Sequence, residues 1–344
     1  MRIAQITSTY ISVPPKSHGG TELMVYHLVE ELLRRGHQVE LFASGDSVVS
    51  CPLHAVVPVA TLYDDSITTY IDKEMETRNT HNLYAQADRF DVIHSHWPTL
   101  APYFSPFTTT PTVVTYAYIE PALHRYYQQN FQNVFPVCVS QTQADLLGDA
   151  TLPVIYNGIP VRHVPFVSEP DDFLLIVARI VPNKGIAEAI QIAQRTGHRL
   201  VIVGDVSPYI PWSRRYYEEQ VRPFIDGERV VYIEQLPNAE VHRLMGRAKA
   251  FLFPLQWDEP FGLVVVEAMA AGAPVVTLRR GSMTELVCDG ETGFLADDID
   301  GMVAALGRID TIDRAACRRW VESRFTVEEM VGKYERLYNK ILAK

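Results

Sequence analysis

The sequence predicts an α/β protein built from two doubly wound parallel sheets, and three observations carry that expectation. Strand-like apolar runs alternate with amphipathic helical stretches along the whole chain, the pattern of repeated strand-helix-strand units. The chain has 344 residues, too many for one ordinary core and suited to two domains of about 150 residues each. Between them, the stretch 159–170 loses its periodicity and carries Pro160, Pro165 and Pro170, which marks a boundary. The expected domains are 1–162 and 163–325.

The first half reads as strands at 2–7, 38–43, 92–94, 112–115, 134–139 and 154–156. A helix from about 21 to 35 ends at Gly36, because glycine accepts the left-handed turn that closes a helix. The second half reads as strands at 173–178, 199–203, 229–233, 250–253 and 274–277, with helices between. Thr326-Val-Glu-Glu329 is a capping-box pattern. It opens a last helix to about 342, with Met330, Tyr334, Leu337 and Tyr338 at helical spacing. Doubly wound sheets take ligands at the carboxyl ends of their strands, so a cleft between the halves is the expected active site.

Composition narrows the function. With 47% hydrophobic and 21% charged residues, this is an ordinary globular composition. A net charge of −10 argues against nonspecific nucleic-acid binding, which depends on clustered Lys and Arg. It also limits any contact with an anionic membrane to a peripheral one. The pairs Arg214-Arg215 and Arg318-Arg319 read as solvated helix faces. The first residues read as a strand rather than a signal peptide. The apolar run 261–276 is too short to span a bilayer and contains Glu267, Gly272 and Pro274. Four cysteines without metal-ligand spacing (Cys51, Cys138, Cys288, Cys317) fit reduced thiols in a cytoplasmic protein.

The stretch 254–274 reads Pro-Leu-Gln-Trp-Asp-Glu-Pro-Phe-Gly-Leu-Val-Val-Val-Glu-Ala-Met-Ala-Ala-Gly-Ala-Pro. Glu267 is the only charge within 261–276, and a carboxylate buried without a partner is costly. Pro260-Phe261-Gly262 reads as a helix start and Gly272 as its stop. Glu267 then lies about two turns into the helix and Glu259 in the loop before it. Both carboxylates and the free N–H groups of the helix start can face one ligand, and such an end attracts phosphate. Hydroxyl-accepting acids beside a phosphate site point to a nucleotide sugar. The alternative is a buried Glu267 paired with a core Arg or Lys.

Other constellations fall at expected strand ends. Arg179 and Lys184, in Ala-Arg-Ile-Val-Pro-Asn-Lys-Gly, place two cations in a strand-to-helix loop suited to a diphosphate; an exposed surface pair is the alternative. Gly19-Gly20 precede the first helix and let backbone amides approach an anion. The Gly-x-Gly-x-x-Gly dinucleotide fingerprint is absent. In His94-Ser95-His96 both imidazoles share a strand face; without a third ligand cluster a metal pair is disfavoured. Gly204 ends a strand where a nucleoside can lie close to the backbone. Asp298-Ile-Asp300 spells the triplet of metal-dependent transferases but precedes a helix, where an N-cap is the better reading.

The segment from Glu259 onward resembles the Glu-x7-Glu motif of the retaining glycosyltransferases of family 4. Arg179 to Gly185 resembles that family's Arg-x4-Lys-Gly pattern, and Asp-Val-Ile-His-x-His and the Gly19-Gly20 pair have counterparts there. The match is densest over 173–295, with Asn157-Gly158 a further point. The resemblance implies a GT-B architecture, in which the last helix (326–344) returns to the N-terminal domain. It implies an acceptor-side domain at 1–162 and a donor-side domain at 163–325. It implies a catalytic set of His96, Glu259, Arg179 and Lys184. Glu259 and His96 would meet the sugar, and the two cations the diphosphate. The donor-binding set is Gly19, Gly20, Gly204, Leu236, Phe261, Gly262, Leu263 and Glu267, with Glu267 on the ribose and Leu236 in the loop that meets the base. No metal or other cofactor is implied. Two departures stand out: Ser282 replaces a glycine in Gly281-Ser-Met-Thr-Glu285, and Thr115-Tyr-Ala117 lacks a histidine common in relatives.

The expected activity is therefore metal-independent, retaining transfer from a nucleoside-diphosphate sugar, with UDP as the default nucleotide. The acceptor is a glycan, lipid-linked or small-molecule hydroxyl. Tyr10, Trp97, Tyr103, Phe104, Tyr116, Tyr118, Tyr126 and Tyr127 offer sugar-stacking faces for it. The rivals are a sugar-nucleotide epimerase of the same architecture, which needs a base on the sugar ring, and a degenerate glycan-binding protein, which should have lost a cation or an acid. A nicotinamide oxidoreductase lacks its glycine fingerprint.

Overall fold

Apolar strand residues are buried in one parallel sheet per half of the chain. The computed structural model describes residues 1–16, 19–64, 66–207 and 210–343. It divides into two units, one of 1–158 with 327–344 and one of 159–326.

In the first unit the strands are β1 (Arg2–Ile6), β2 (Gln38–Phe42), β3 (Leu53–His54), β4 (Val92–Ser95), β5 (Thr112–Tyr116) and β6 (Val134–Cys138), ordered β3-β2-β1-β4-β5-β6. All neighbours are parallel, with Ile6 beside both Phe42 and Ser95. Strands β4 and β5 are buried throughout, as expected of a sheet covered on both faces. The helices are α1 (Gly20–Arg34), α2 (Thr69–Tyr84), α3 (Ala101–Phe104), α4 (Pro121–Asn130) and α5 (Gln141–Leu147).

The second unit carries β7 (Phe173–Val177), β8 (Arg199–Val203), β9 (Val230–Ile233), β10 (Ala250–Phe253), β11 (Val275–Leu278) and β12 (Gly293–Ala296), ordered β12-β11-β10-β7-β8-β9. Its helices are α6 (Ile186–Thr196), α7 (Pro211–Tyr216), α8 (Asn238–Arg247), α9 (Leu263–Ala270), α10 (Met283–Leu286), α11 (Ile299–Leu306) and α12 (Arg314–Arg324). Strand order reverses between β1 and β4 in one sheet and between β7 and β10 in the other. Connections leave such a switch point in opposite directions, which opens a crevice at the strands' carboxyl ends.

The last helix, α13 (Val327–Leu342), belongs to the first unit. Its Tyr334 and Tyr338 are fully buried. The Tyr338 hydroxyl lies 2.6 Å from His94 Nδ1, and Thr115 Oγ1 lies 2.7 Å from both His94 Nε2 and the Tyr334 hydroxyl. His94 is thus a core histidine with both ring nitrogens bonded. At the helix surface, Glu335 takes Arg35 and His37 at 2.6 and 2.7 Å.

Several expectations need correction. The division falls at Gly158/Ile159 rather than 162/163, because the proline-rich stretch is held by the second unit. Arg314 donates to the carbonyls of Val167, Gly246 and Ala248, and Arg318 to those of Val161, Val164 and Ala270. Arg318 is therefore no solvated surface group, although Arg214 and Arg215 are, each facing a glutamate four residues on. Residues 154–156 form no strand and make only an isolated bridge, Val154 to Cys138. The short strands β3 and β12 were not foreseen. Tyr116 and Tyr127 are buried and offer no stacking face, whereas Trp97, Tyr103, Tyr118 and Tyr126 are exposed. The four cysteines are free thiols. Among the described residues, no helix is long and apolar enough to cross a membrane.

Candidate functional site

The charged candidates of the second unit gather at its switch point. After β7 the chain passes under β8: a Cβ on Gly204 would sit 1.8 Å from the Ala178 carbonyl oxygen, so only glycine lets the two strand ends approach this closely. Arg179 follows Ala178 and is exposed. Among the described residues its guanidinium has no hydrogen-bond or ion-pair partner. The chain then makes a single 3-10 turn, Pro182–Lys184, and closes on Gly185 in the left-handed region. A Cβ there would meet the Pro254 carbonyl oxygen at 2.0 Å, and Gln256 N–H donates to the Asn183 carbonyl at 3.0 Å. The loops after β7 and β10 are thus in backbone contact.

That contact places the Lys184 ammonium directly on Glu259 Oε2. The two side chains are only 13% and 15% exposed. The same oxygen accepts from the Trp257 indole N–H at 2.8 Å, and the ammonium lies 5.1 Å from the centre of that indole, within cation–π range. Glu259 Oε1 has no protein donor among the described residues. Lys184 and Glu259 thus neutralise each other.

The loop holding Glu259 is braced from the turn after β11. Ser282 N–H donates to the Glu259 carbonyl at 3.0 Å, Gly281 N–H to Asp258 Oδ1 at 3.1 Å, and the Ser282 hydroxyl to the Phe261 carbonyl. A Cβ at Gly281, whose φ is +51°, would lie 2.5 Å from the Glu259 backbone. Close approach thus resides at Gly281, and serine at 282 adds a bond rather than obstructing one. Gly262 caps α9 in the left-handed region, and the first turn holds no acid, leaving the positive end of the helix uncompensated. The helix begins at Leu263, not at Pro260, so Glu267 stands about one turn in rather than two. Its partner is His242 of α8, at 3.5 Å, and not a core Arg or Lys. Leu236 follows β9, half-buried.

The first unit's candidates also sit at its switch point, Gly19 after β1 and His96 after β4. His96 is buried, and its Nε2 lies 2.7 Å from Gln5 Oε1. Nδ1 is buried without a partner among the described residues. Burial pushes the His96 pKa down to about 3, so the ring is neutral. Gly19 packs tightly, since a Cβ would meet Glu22 Oε2 at 2.8 Å and Pro15 at 2.9 Å. Gly20 is the first residue of α1. Buried Glu22 stands in that first turn, its pKa raised to about 7 chiefly by desolvation. Ser17 and His18, in the same loop, lie outside the described residues.

Two family models match in sequence along the chain: Glycosyltransferase Family 4 over 18–163 and Glycosyl transferases group 1 over 162–312. The chain belongs to the group 1/family 4 glycosyltransferases. A phosphatidyl-myo-inositol mannosyltransferase of Mycolicibacterium smegmatis is 26% identical over 341 residues, covering 89% of this chain and 84% of that protein. Among solved structures, the sucrose-phosphate synthase of Thermosynechococcus elongatus aligns with a TM-score of 0.81 at 20% identity, covering 99% of both chains. The Anabaena protein HepE, in complex with UDP-glucose, aligns at 0.75 and 17%, covering 98% of this chain and 100% of that one. The fold is GT-B.

Within this glycosyltransferase the Asp-x-Asp triplet is otherwise engaged. Asp298 caps α11 by accepting from Gly301 N–H at 2.7 Å, and Asp300 pairs with Arg195 at 2.7 Å. Three contributors escaped the sequence reading. Trp257 lay inside the quoted motif, and an indole N–H two residues before a loop carboxylate was the available signal. Neither His242 nor the Ser282 hydroxyl gave any, since each meets its partner only through packing of distant segments.

Proposed function

We propose that this glycosyltransferase moves a sugar from a nucleoside-diphosphate sugar, with UDP the first candidate, to a hydroxyl acceptor, with retention and without a metal ion. The observation that carries the reading is the arrangement at the β7/β10 switch point. Arg179, with no partner among the described residues, the Lys184–Glu259 pair and the α9 amino terminus all lie at adjacent strand ends. When the donor binds, Lys184 exchanges Glu259 for the diphosphate, Arg179 clasps it bidentately, and Glu259 Oε1 accepts from a sugar hydroxyl. Glu267 takes the ribose hydroxyls. As the glycosidic bond lengthens, positive charge grows on the sugar and negative charge on the leaving diphosphate. The two cations, once on the diphosphate, and the helix amides stabilise the latter. The departing phosphate oxygen then takes the acceptor proton on the same face, which preserves configuration. UDP is favoured by the UDP-glucose bound to the HepE neighbour. A lipid-linked acceptor is favoured by the name of the mannosyltransferase relative.

The test is a thermal-shift panel of UDP-, GDP- and ADP-sugars, because a ligand that binds only the native state raises its stability. Product analysis with the best donor then follows. A rise with one nucleotide class, and a glycoside of unchanged anomeric configuration, is the expected outcome. No shift with any of the three, or an epimerised donor, would refute the reading.

A further inference from the structure

We propose that Trp257 is a positioning residue that holds the Glu259 carboxylate in place once Lys184 has moved to the diphosphate; this rests on the donor-site reading above. Glu259 Oε2 has two donors, the Lys184 ammonium and the Trp257 indole N–H. Only one of them has a reason to leave. Lys184 is a mobile point charge that a diphosphate attracts more strongly than a single carboxylate does. The indole N–H donates and nothing else, carries no charge to offer a phosphate, and sits on the same loop two residues away. When the ammonium departs, Trp257 is the side-chain donor that remains on Oε2. The Glu259 backbone stays fixed by Ser282 and Gly281, so this one bond sets the rotation of the carboxyl group. Oε1, which has no protein donor among the described residues, is thereby aimed outward as the acceptor for a sugar hydroxyl. The indole face also lies 5.1 Å from the ammonium, within cation–π range of Lys184. Trp257 thus acts on the sugar only through Glu259, and on the nucleotide hardly at all.

Trp257→Phe in the full-length protein keeps a ring beneath the ammonium and deletes the N–H. UDP-glucose turnover and UDP affinity are measured for the wild type, Trp257→Phe, Glu259→Gln and the double variant. The expected result is a roughly ten- to hundredfold lower kcat for Trp257→Phe, the loss of one charge-assisted hydrogen bond. UDP Kd should stay within about threefold, because Arg179 and Lys184 are intact. In the Glu259→Gln background the same substitution should change kcat by less than about twofold, since residues acting as one unit are not additive. Wild-type kcat in Trp257→Phe would overturn the inference alone. So would parallel loss of turnover and UDP affinity, or loss of the fold, either of which makes Trp257 a packing residue. Full additivity in the double variant would do the same. A wild type that neither binds nor turns over UDP-glucose, GDP-mannose or ADP-glucose would remove the donor-site reading and this inference with it.

Discussion

Replacing Glu259 by glutamine should tighten nucleotide binding while it slows transfer, a separation that follows from the Lys184 pairing. Two unit charges about 4 Å apart attract by about 4 kcal/mol at the effective dielectric of a protein surface, and desolvation offsets much of that. Fully exposed pairs net about 0–1 kcal/mol, whereas breaking a buried pair costs about 3–5 kcal/mol. Side chains 13% and 15% exposed fall between, on the order of 1–2 kcal/mol net by the same comparison. A diphosphate must displace Glu259 from Lys184 in the wild type but meets an unpaired ammonium in Glu259→Gln. UDP should therefore bind the variant roughly five- to thirtyfold more tightly. Turnover should fall roughly ten- to hundredfold, because the neutral amide makes a weaker bond to the sugar hydroxyl. Titration calorimetry with UDP and a UDP-glucose turnover assay read the two effects separately. UDP affinity unchanged or weakened in the variant would show that the pair does not compete with the diphosphate.

Gly204→Ala places a methyl where the Ala178 carbonyl already stands; it should destabilise the protein by about 3 kcal/mol or more, and a urea midpoint near wild type would refute that close approach. Asp298→Ala should cost about 1 kcal/mol as a lost N-cap and leave turnover intact in the presence of EDTA; activity abolished by EDTA and restored by magnesium or manganese would reopen the metal reading of the triplet. Buried Glu22, with its pKa raised from 4.5 to about 7, keeps a proton in the folded state that the unfolded chain releases. Stability attributable to it should therefore fall as pH rises from about 4.5 to about 7, by at most about 3 kcal/mol. Glu22→Gln should flatten that dependence, and equal slopes for variant and wild type in melts between pH 5 and 8 would count against it.

What was legible in the sequence tracks what is local. The helix after β1, the N-cap at Asp298 and the left-handed residue at Gly272 each depend on a few neighbouring residues, and each was read correctly. Strand β12 was missed because Gly-Phe-Leu-Ala is too short to show a period, and β3 has only two residues. The depth of Glu267 in its helix was misjudged by about a turn because Gly262, rather than Pro260, supplies the cap. The GT-B architecture and the family were legible from motif wording. The engagement of Lys184 with Glu259 was not, since 75 residues separate them and backbone contacts between the loops after β7 and β10 bring them together. Arg318 read as an ordinary surface cation for the same reason, its carbonyl partners at Val161, Val164 and Ala270 lying far away in sequence.

The placement of α13 has a consequence for how this protein is made. The second unit is continuous, from 159 to 326, and all of it has been synthesised before the last helix appears. The first unit begins at the amino terminus yet lacks the tyrosines that bond His94 and Thr115 until residues 334 and 338 have emerged. Domains generally fold as units as they leave the ribosome, so the half translated first is the half finished last. A nascent chain interrupted within 327–343 would carry a complete second unit beside a first whose His94 and Thr115, otherwise almost wholly enclosed, stand uncovered. Such a chain presents the surface that chaperones and proteases bind, and a late stop codon should deplete the whole protein rather than merely shorten it.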